Sequence, residues 1–162
     1  MTTKDNLKSA FEGESWAHRK YLAFAKRAEE EGFKQEAKLF RAMAESEAAH
    51  ANYHLRILGD IMNTRENIIY ARDLETQVTT KMYPQMIEEA EKEGNKEASQ
   101  SFRHIKDVEK GHVNLCQKVL DNLGKNKNAD YFVCQVCGNI LEESLPDKCH
   151  ICTTEATFIR IS

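Results

Sequence analysis

Two stretches of this sequence set a carboxylate and an imidazole one helical turn apart: Glu47 and His50 in "SEAAHANYH", and Glu109 and His112 in "VEKGHVNLC". Residues at i and i+3 share a helical face, so either pair could close on a metal ion. A lone pair of this kind is more often a solvated surface pair. These two, however, are equivalent positions of an internal repeat. "EGFKQEAKLFRAMAESEAAH" (31–50) aligns with "EGNKEASQSFRHIKDVEKGH" (93–112) at a constant offset of 62, matching Gly32 with Gly94, Phe40 with Phe102 and Arg41 with Arg103. Tyr21 and Tyr83 match at the same offset. Ahead of those tyrosines stand Glu14 and Glu75, each with few charged neighbours on its apolar side. One Glu from each of two helices and a Glu-x-x-His from each of two others is the ligand pattern of di-iron and di-manganese carboxylate bundles. Four carboxylates and two neutral imidazoles balance two divalent ions. Confined in a bundle without cations, they would raise one another's pKa values at a cost of several kcal/mol. Oxygen ligands with imidazole suit iron or manganese.

Four of the five cysteines form two Cys-x-x-Cys knuckles, Cys134 with Cys137 and Cys149 with Cys152. Their spacing points to a tetrahedral four-thiolate site rather than to disulfides. The module has the size of a rubredoxin-like iron site, although a structural zinc ribbon uses the same ligands. Cys116 stands alone in helical sequence and is expected to be an inert core residue. His18, His54 and His104 have no matched partner and are expected in the outer shell or on the surface. Glu12, Glu45 and the run at 29–31 are expected to form a solvated face.

Four helices must position the first ligand set. Apolar periodicity and glycine punctuation predict them over about Asp5–Glu31, Lys34–Leu58, Asn63 to near Gly94, and Lys96–Leu123. Asn63 with Glu66 resembles a capping box. Helices of this length with short loops at alternate ends predict an all-α antiparallel four-helix bundle made of two similar hairpins. The polar stretch 125–130 then leads to the cysteine module, so the expected domains are 1–126 and 127–162. Glu14 precedes Tyr21 by seven residues, whereas Glu75 precedes Tyr83 by eight. The extra residue predicts a π-bulge between Glu75 and Tyr83 that turns Glu75 inward and leaves Val78 on the apolar wall of the site.

Composition bounds what else the chain could be. At 162 residues it is long enough for a sizeable core. Lys plus Arg is 23 against Asp plus Glu at 26, a formal charge of −3, which offers no surplus to hold nucleic acid. There is no signal-peptide-like N-terminus and no apolar run that could span a bilayer. The expectation is a soluble, cytoplasmic protein without nucleic-acid or membrane partners.

Taken together, "FEGESWAHRKYLAFA", "AESEAAHANYHLRILG", "KMYP", "VEKGH" and "YFVCQVCGNI…CHIC" make the chain resemble the rubrerythrins along essentially its whole length. That resemblance implies a ferritin-like bundle followed by a rubredoxin-like module. It further implies a non-haem di-iron peroxidase that reduces hydrogen peroxide to water in oxidative-stress protection. Electrons would come from NAD(P)H through a rubredoxin-type carrier and a mononuclear iron at the four cysteines, commonly across a homodimer. Glu14, Glu47, His50, Glu75, Glu109 and His112 would be the di-iron ligands, with Glu47 and Glu109 bridging. Tyr21 and Tyr83 would be the tyrosines beside them. Two positions depart from the family's pattern. Val78 stands where rubrerythrins usually have a further glutamate, and Thr153 where a glycine commonly follows the second knuckle. The first departure keeps open a dioxygen-reducing ferroxidase; iron storage or simple electron carriage is the non-enzymatic alternative.

Overall fold

A computed structural model of the chain describes residues 1–142, 145–155 and 157–162, and divides into two compact units, Met1–Met62 and Asn63–Ser162. The first unit is a helical hairpin of α1 (Thr3–Glu30) and α2 (Lys34–Leu58). α1 starts two residues earlier than its periodicity predicts, because Thr2 and Asp5 form a reciprocal capping box. Gly32 ends α1 in the left-handed region at φ 87°, and the Phe33 amide returns to the Ala28 carbonyl at 2.8 Å. The seam between the helices is lined by alanines. Ala25 and Ala28 of α1 and Ala37, Ala44 and Ala51 of α2 are all buried, the last three at heptad spacing. Such small side chains let two helices approach closely along their length.

The second unit repeats the hairpin. α3 (Thr64–Gln77) is capped by the Asn63 side chain on the Glu66 amide, while the Asn63 side-chain amide donates to the Glu66 carboxylate. It passes through a π-turn at Val78–Met82 into α4 (Tyr83–Lys92), and α5 (Lys96–Asp121) returns alongside. Gly94 at φ 71° and the Asn95 amide on the Ala90 carbonyl reproduce the closure at Gly32. Each hairpin also carries the same interhelical ion pair, Arg41 with Glu29 at 2.5 Å and Arg103 with Glu91. All three members of the stretch 29–31, expected to be merely solvated, are thus paired: Glu29 with Arg41, and Glu30 and Glu31 with Arg27.

The π-turn lies between Glu75 and Tyr83, where the eight-residue spacing places it. Two features of the sequence favour it. Pro84 has no amide hydrogen to donate back to the preceding turn. Three threonines supply hydroxyls to carbonyls around the widened turn: Thr76 to Arg72, Thr79 to both Glu75 and Thr76, and Thr80 to Thr76, at 2.6–3.0 Å.

After α5, β1 (Tyr131–Cys134), β2 (Ile140–Glu142) and β3 (Phe158–Ile161) form an antiparallel sheet in the order β2-β1-β3. Val133 is opposite Ile140 and Cys134 opposite Phe158. The sheet packs toward α5 within this unit. Lys118 pairs with Glu142, and an apolar groove of about 330 Å³ is lined by Cys116 and Val119 of α5 and by Tyr131 and Val133 of β1.

Candidate metal centres

The structure gathers the six carboxylate-cluster residues into two sets, one in each unit. In the first, Glu14 of α1 joins Glu47 and His50 of α2; in the second, Glu75 of α3 joins Glu109 and His112 of α5. Within each set the candidate ligand atoms lie within 4.8 Å of one another. The helical i, i+3 spacing does this locally. His50 Nδ1 is 2.9 Å from Glu47 Oε2, and His112 Nδ1 is 2.7 Å from Glu109 Oε2 and 3.9 Å from Glu75 Oε1. The first set is the more open, with the His50 side chain 55 % exposed against 23 % for His112.

The second set has the electrostatics of a cation site. Burial pushes the Glu75 carboxyl above its ordinary value, and the charge of Glu109 pushes it further, with His112 opposing. Tyr83 is raised by burial and then by the charges of Glu109 and Glu75, which puts its hydroxyl in the field of the same carboxylates. His112 Nε2 is buried without a hydrogen-bond partner. Side chains that crowd together and leave buried polar atoms unpaired are stabilised by a metal ion they can all reach, so the donor set fits iron.

Tyr21 lies about two turns beyond Glu14 on α1, with its ring 6.2 Å from Phe24; Tyr83 has the same relation to Phe102, at 6.1 Å. Val78 is half-buried at the start of the π-turn. None of His18, His54 and His104 joins a metal-ligating group among the described residues. His54 nevertheless buries Nδ1 without a partner one turn beyond His50. Its repeat position in the second hairpin is Cys116, whose thiol is raised by burial and then by the charge of Glu75. The offset of 62 links these two residues, but their side-chain types do not match.

The four knuckle cysteines converge as well. Cys134 and Cys149 are buried, Cys137 and Cys152 are half-exposed, and all four are free thiols. Cys134 Sγ lies 3.9 Å from Cys152 Sγ and Cys137 Sγ 3.6 Å from Cys149 Sγ. Metal–sulfur bonds of about 2.3 Å give a tetrahedron with edges of about 3.8 Å, so this spacing suits one thiolate-bound ion. The knuckles are built alike. The Gly138 amide bonds the Cys134 carbonyl at 2.9 Å, and the Thr153 amide bonds the Cys149 carbonyl at 2.8 Å. Gly138 has φ 80°, and Thr153 is forced to 59°, a left-handed position that a β-branched residue adopts only under strain. Burial pushes the Cys137 thiol up to about 12. Burial also opposes ionisation of Cys152, but the hydroxyl and amide of Thr154 and the neighbouring thiols outweigh it and bring that thiol down to about 6.

The rubrerythrin family model matches residues 5–120. Nigerythrin of Nitratidesulfovibrio vulgaris is 32% identical over 165 residues, covering 93% of this chain and 82% of its own. Rubrerythrin-2 of Clostridium acetobutylicum is 32% identical over 168 residues, covering 93% and 91%. Among solved structures, partially reduced nigerythrin superposes with a TM-score of 0.58, at 30% identity, over 98% of this chain and 87% of that one. The all-ferrous form of nigerythrin gives 0.57 with the same coverage.

Proposed function

Since the chain belongs to the rubrerythrin family, we propose that it reduces hydrogen peroxide to water at a di-iron centre whose ligands are Glu14, Glu47, His50, Glu75, Glu109 and His112. Its fold class is accordingly all-α and ferritin-like, with a small rubredoxin-like module. Its cofactors are a di-iron centre and a mononuclear iron, and its class is that of di-iron oxidoreductases of oxidative-stress protection. In this reading residues 1–126 supply the bundle and 127–162 the linker and electron-relaying module. When bound, two ferrous ions supply both electrons needed to break the O–O bond, so no hydroxyl radical is released.

The chain's own residues provide the rest. By the family resemblance Glu47 and Glu109 would be the bridging carboxylates, and His50 and His112 would take one terminal position each. Together the four carboxylates offset the charge of two divalent ions. Tyr83 keeps its proton firmly, because burial and the adjacent Glu109 and Glu75 charges disfavour the phenolate. Its hydroxyl can therefore donate to the departing oxygen, and Tyr21 occupies the equivalent repeat position. The observation that supports this reading most is the convergence of Glu75, Glu109 and His112, with His112 Nε2 buried and unpaired. The donor is a rubredoxin-type carrier fed by NAD(P)H, and the working form is a homodimer. Among the described residues no helix is long and apolar enough to cross a membrane, in keeping with a cytoplasmic site of action.

Steady-state turnover of the iron-loaded protein with a reduced carrier tests the proposal. Peroxide consumption well above dioxygen consumption is expected, and dioxygen reduction without peroxide turnover would replace it with the ferroxidase reading. Val78 favours that second reading, because without a further carboxylate both irons stay on histidine whatever their oxidation state. Val78→Glu should then shift the preference toward peroxide. An unchanged ratio would remove Val78 from the chemistry.

A further inference from the structure

The two knuckles are related by an offset of 15, which pairs Cys134 with Cys149, Cys137 with Cys152, Gly138 with Thr153 and Asn139 with Thr154. Their backbones obey that symmetry. The Asn139 amide bonds the Cys137 sulfur, and the Thr154 amide bonds the Cys152 sulfur. The Cys134 and Cys149 amides likewise bond the Asn139 and Thr154 carbonyls, at 2.9 and 3.1 Å. The side chains break the symmetry. Asn139 is buried, and its Nδ2 has no partner. Thr154 is exposed and places Oγ1 2.9 Å from Cys152 Sγ, so this sulfur receives a side-chain bond in addition to the amide.

We propose that the Thr154 hydroxyl is a positioning residue that raises the reduction potential of the iron held by the four cysteines, acting through its hydrogen bond to Cys152 Sγ. A metal-bound cysteine is a thiolate with no proton to give, so the hydroxyl must be the donor. Uptake of one electron takes the four-thiolate ferric centre from a charge of −1 to −2 without any proton or bond changing place. A donor aimed at sulfur stabilises the more negative state and so favours reduction. Cys152 is also one of the two half-exposed sulfurs, which puts the added bond on the solvent-facing side of the site, where an external carrier can approach.

The inference requires iron at the four cysteines, and the thiolate-to-iron absorption band reads that occupancy separately from the potential. The test is the midpoint potential of this iron in the full-length protein, measured by optical redox titration of that band. Thr154→Val, which keeps the shape and removes the hydroxyl, is expected to shift the potential to more negative values. Thr154→Ser is expected to restore it toward wild type with an unchanged thermal midpoint. If the valine variant does not retain iron, Thr154→Ala removes the same hydroxyl and is read in its place. A potential in the hydroxyl-free variant equal to wild type would overturn the proposal, as would a serine variant shifted as far as the valine variant.

Discussion

At the scale of single residues, two side chains are held in states they would not choose alone. Thr153 adopts φ 59° because the second knuckle needs a left-handed residue to return its amide to the Cys149 carbonyl. Such a position costs a β-branched residue about 1–3 kcal/mol, a strain that glycine, lacking a Cβ, does not carry. Thr153→Gly should therefore raise the stability of the cysteine module by about 1 kcal/mol after glycine's own entropy loss, seen as a higher thermal midpoint for loss of the iron–thiolate band. A lower midpoint would show that the threonine side chain contributes contacts worth more than the strain. Glu75 is the second case, its carboxyl raised by burial and then by Glu109. With the folded-state pKa above the unfolded one, its contribution to the metal-free protein is fully present below the ordinary glutamate pKa. It is lost as pH rises through the folded value. Glu75→Gln should thus stabilise the metal-free protein at neutral pH and lose that advantage in acid, as urea unfolding at the two pH values would report. An advantage independent of pH would mean that the carboxyl is not ionising in that crowded set. Metal binding runs the other way, strengthening as pH rises, because protons and iron compete for the same oxygens.

The π-turn makes a sharper demand on the elements. In a regular α-helix each residue turns the chain by about 100°, so one extra residue between Glu75 and Tyr83 would put them on different faces unless the backbone widened. Deleting Thr80 should restore α-helical bonding, rotate Glu75 away from Glu109 and His112, and lose bundle iron while the four cysteines keep theirs. Elemental analysis reads this, and retention of the bundle iron would show that the turn is incidental to the site. This turn was legible in the sequence because a repeat can be counted: seven residues against eight, with a proline just beyond. Both hairpins and all six carboxylate-cluster residues were legible for the same reason, and the bounds of α2 follow directly from the glycines around it. What escaped was whatever depends on partners far along the chain. Glu29 looked solvated because nothing local reveals Arg41, twelve positions later across the hairpin turn. The register of the three short strands, and the approach of Cys116 to β1, likewise arise from packing rather than from periodicity. Thr2 was missed for a simpler reason, since Asp at the third helical position caps as Glu does.

For the molecule as a whole, the proposed function has two kinds of metal site serving one electron path, and each should be separable from the other. Cys149 is buried in the module, and Cys149→Ser should abolish the iron–thiolate colour and slow turnover driven by the carrier. A chemically reduced bundle should still consume peroxide at the wild-type rate in single turnover. Unchanged carrier-driven turnover would make the module structural. The di-iron proposal draws on two three-residue sets, Glu14, Glu47 and His50 in one unit and Glu75, Glu109 and His112 in the other. The ratio of iron to protein in the iron-loaded chain tests this most directly. It should be about three per chain, two in the bundle and one at the cysteines, and either Glu47→Ala or Glu109→Ala alone should remove bundle iron while sparing the cysteine-bound ion. A ratio of about one that neither substitution alters would contradict the di-iron proposal.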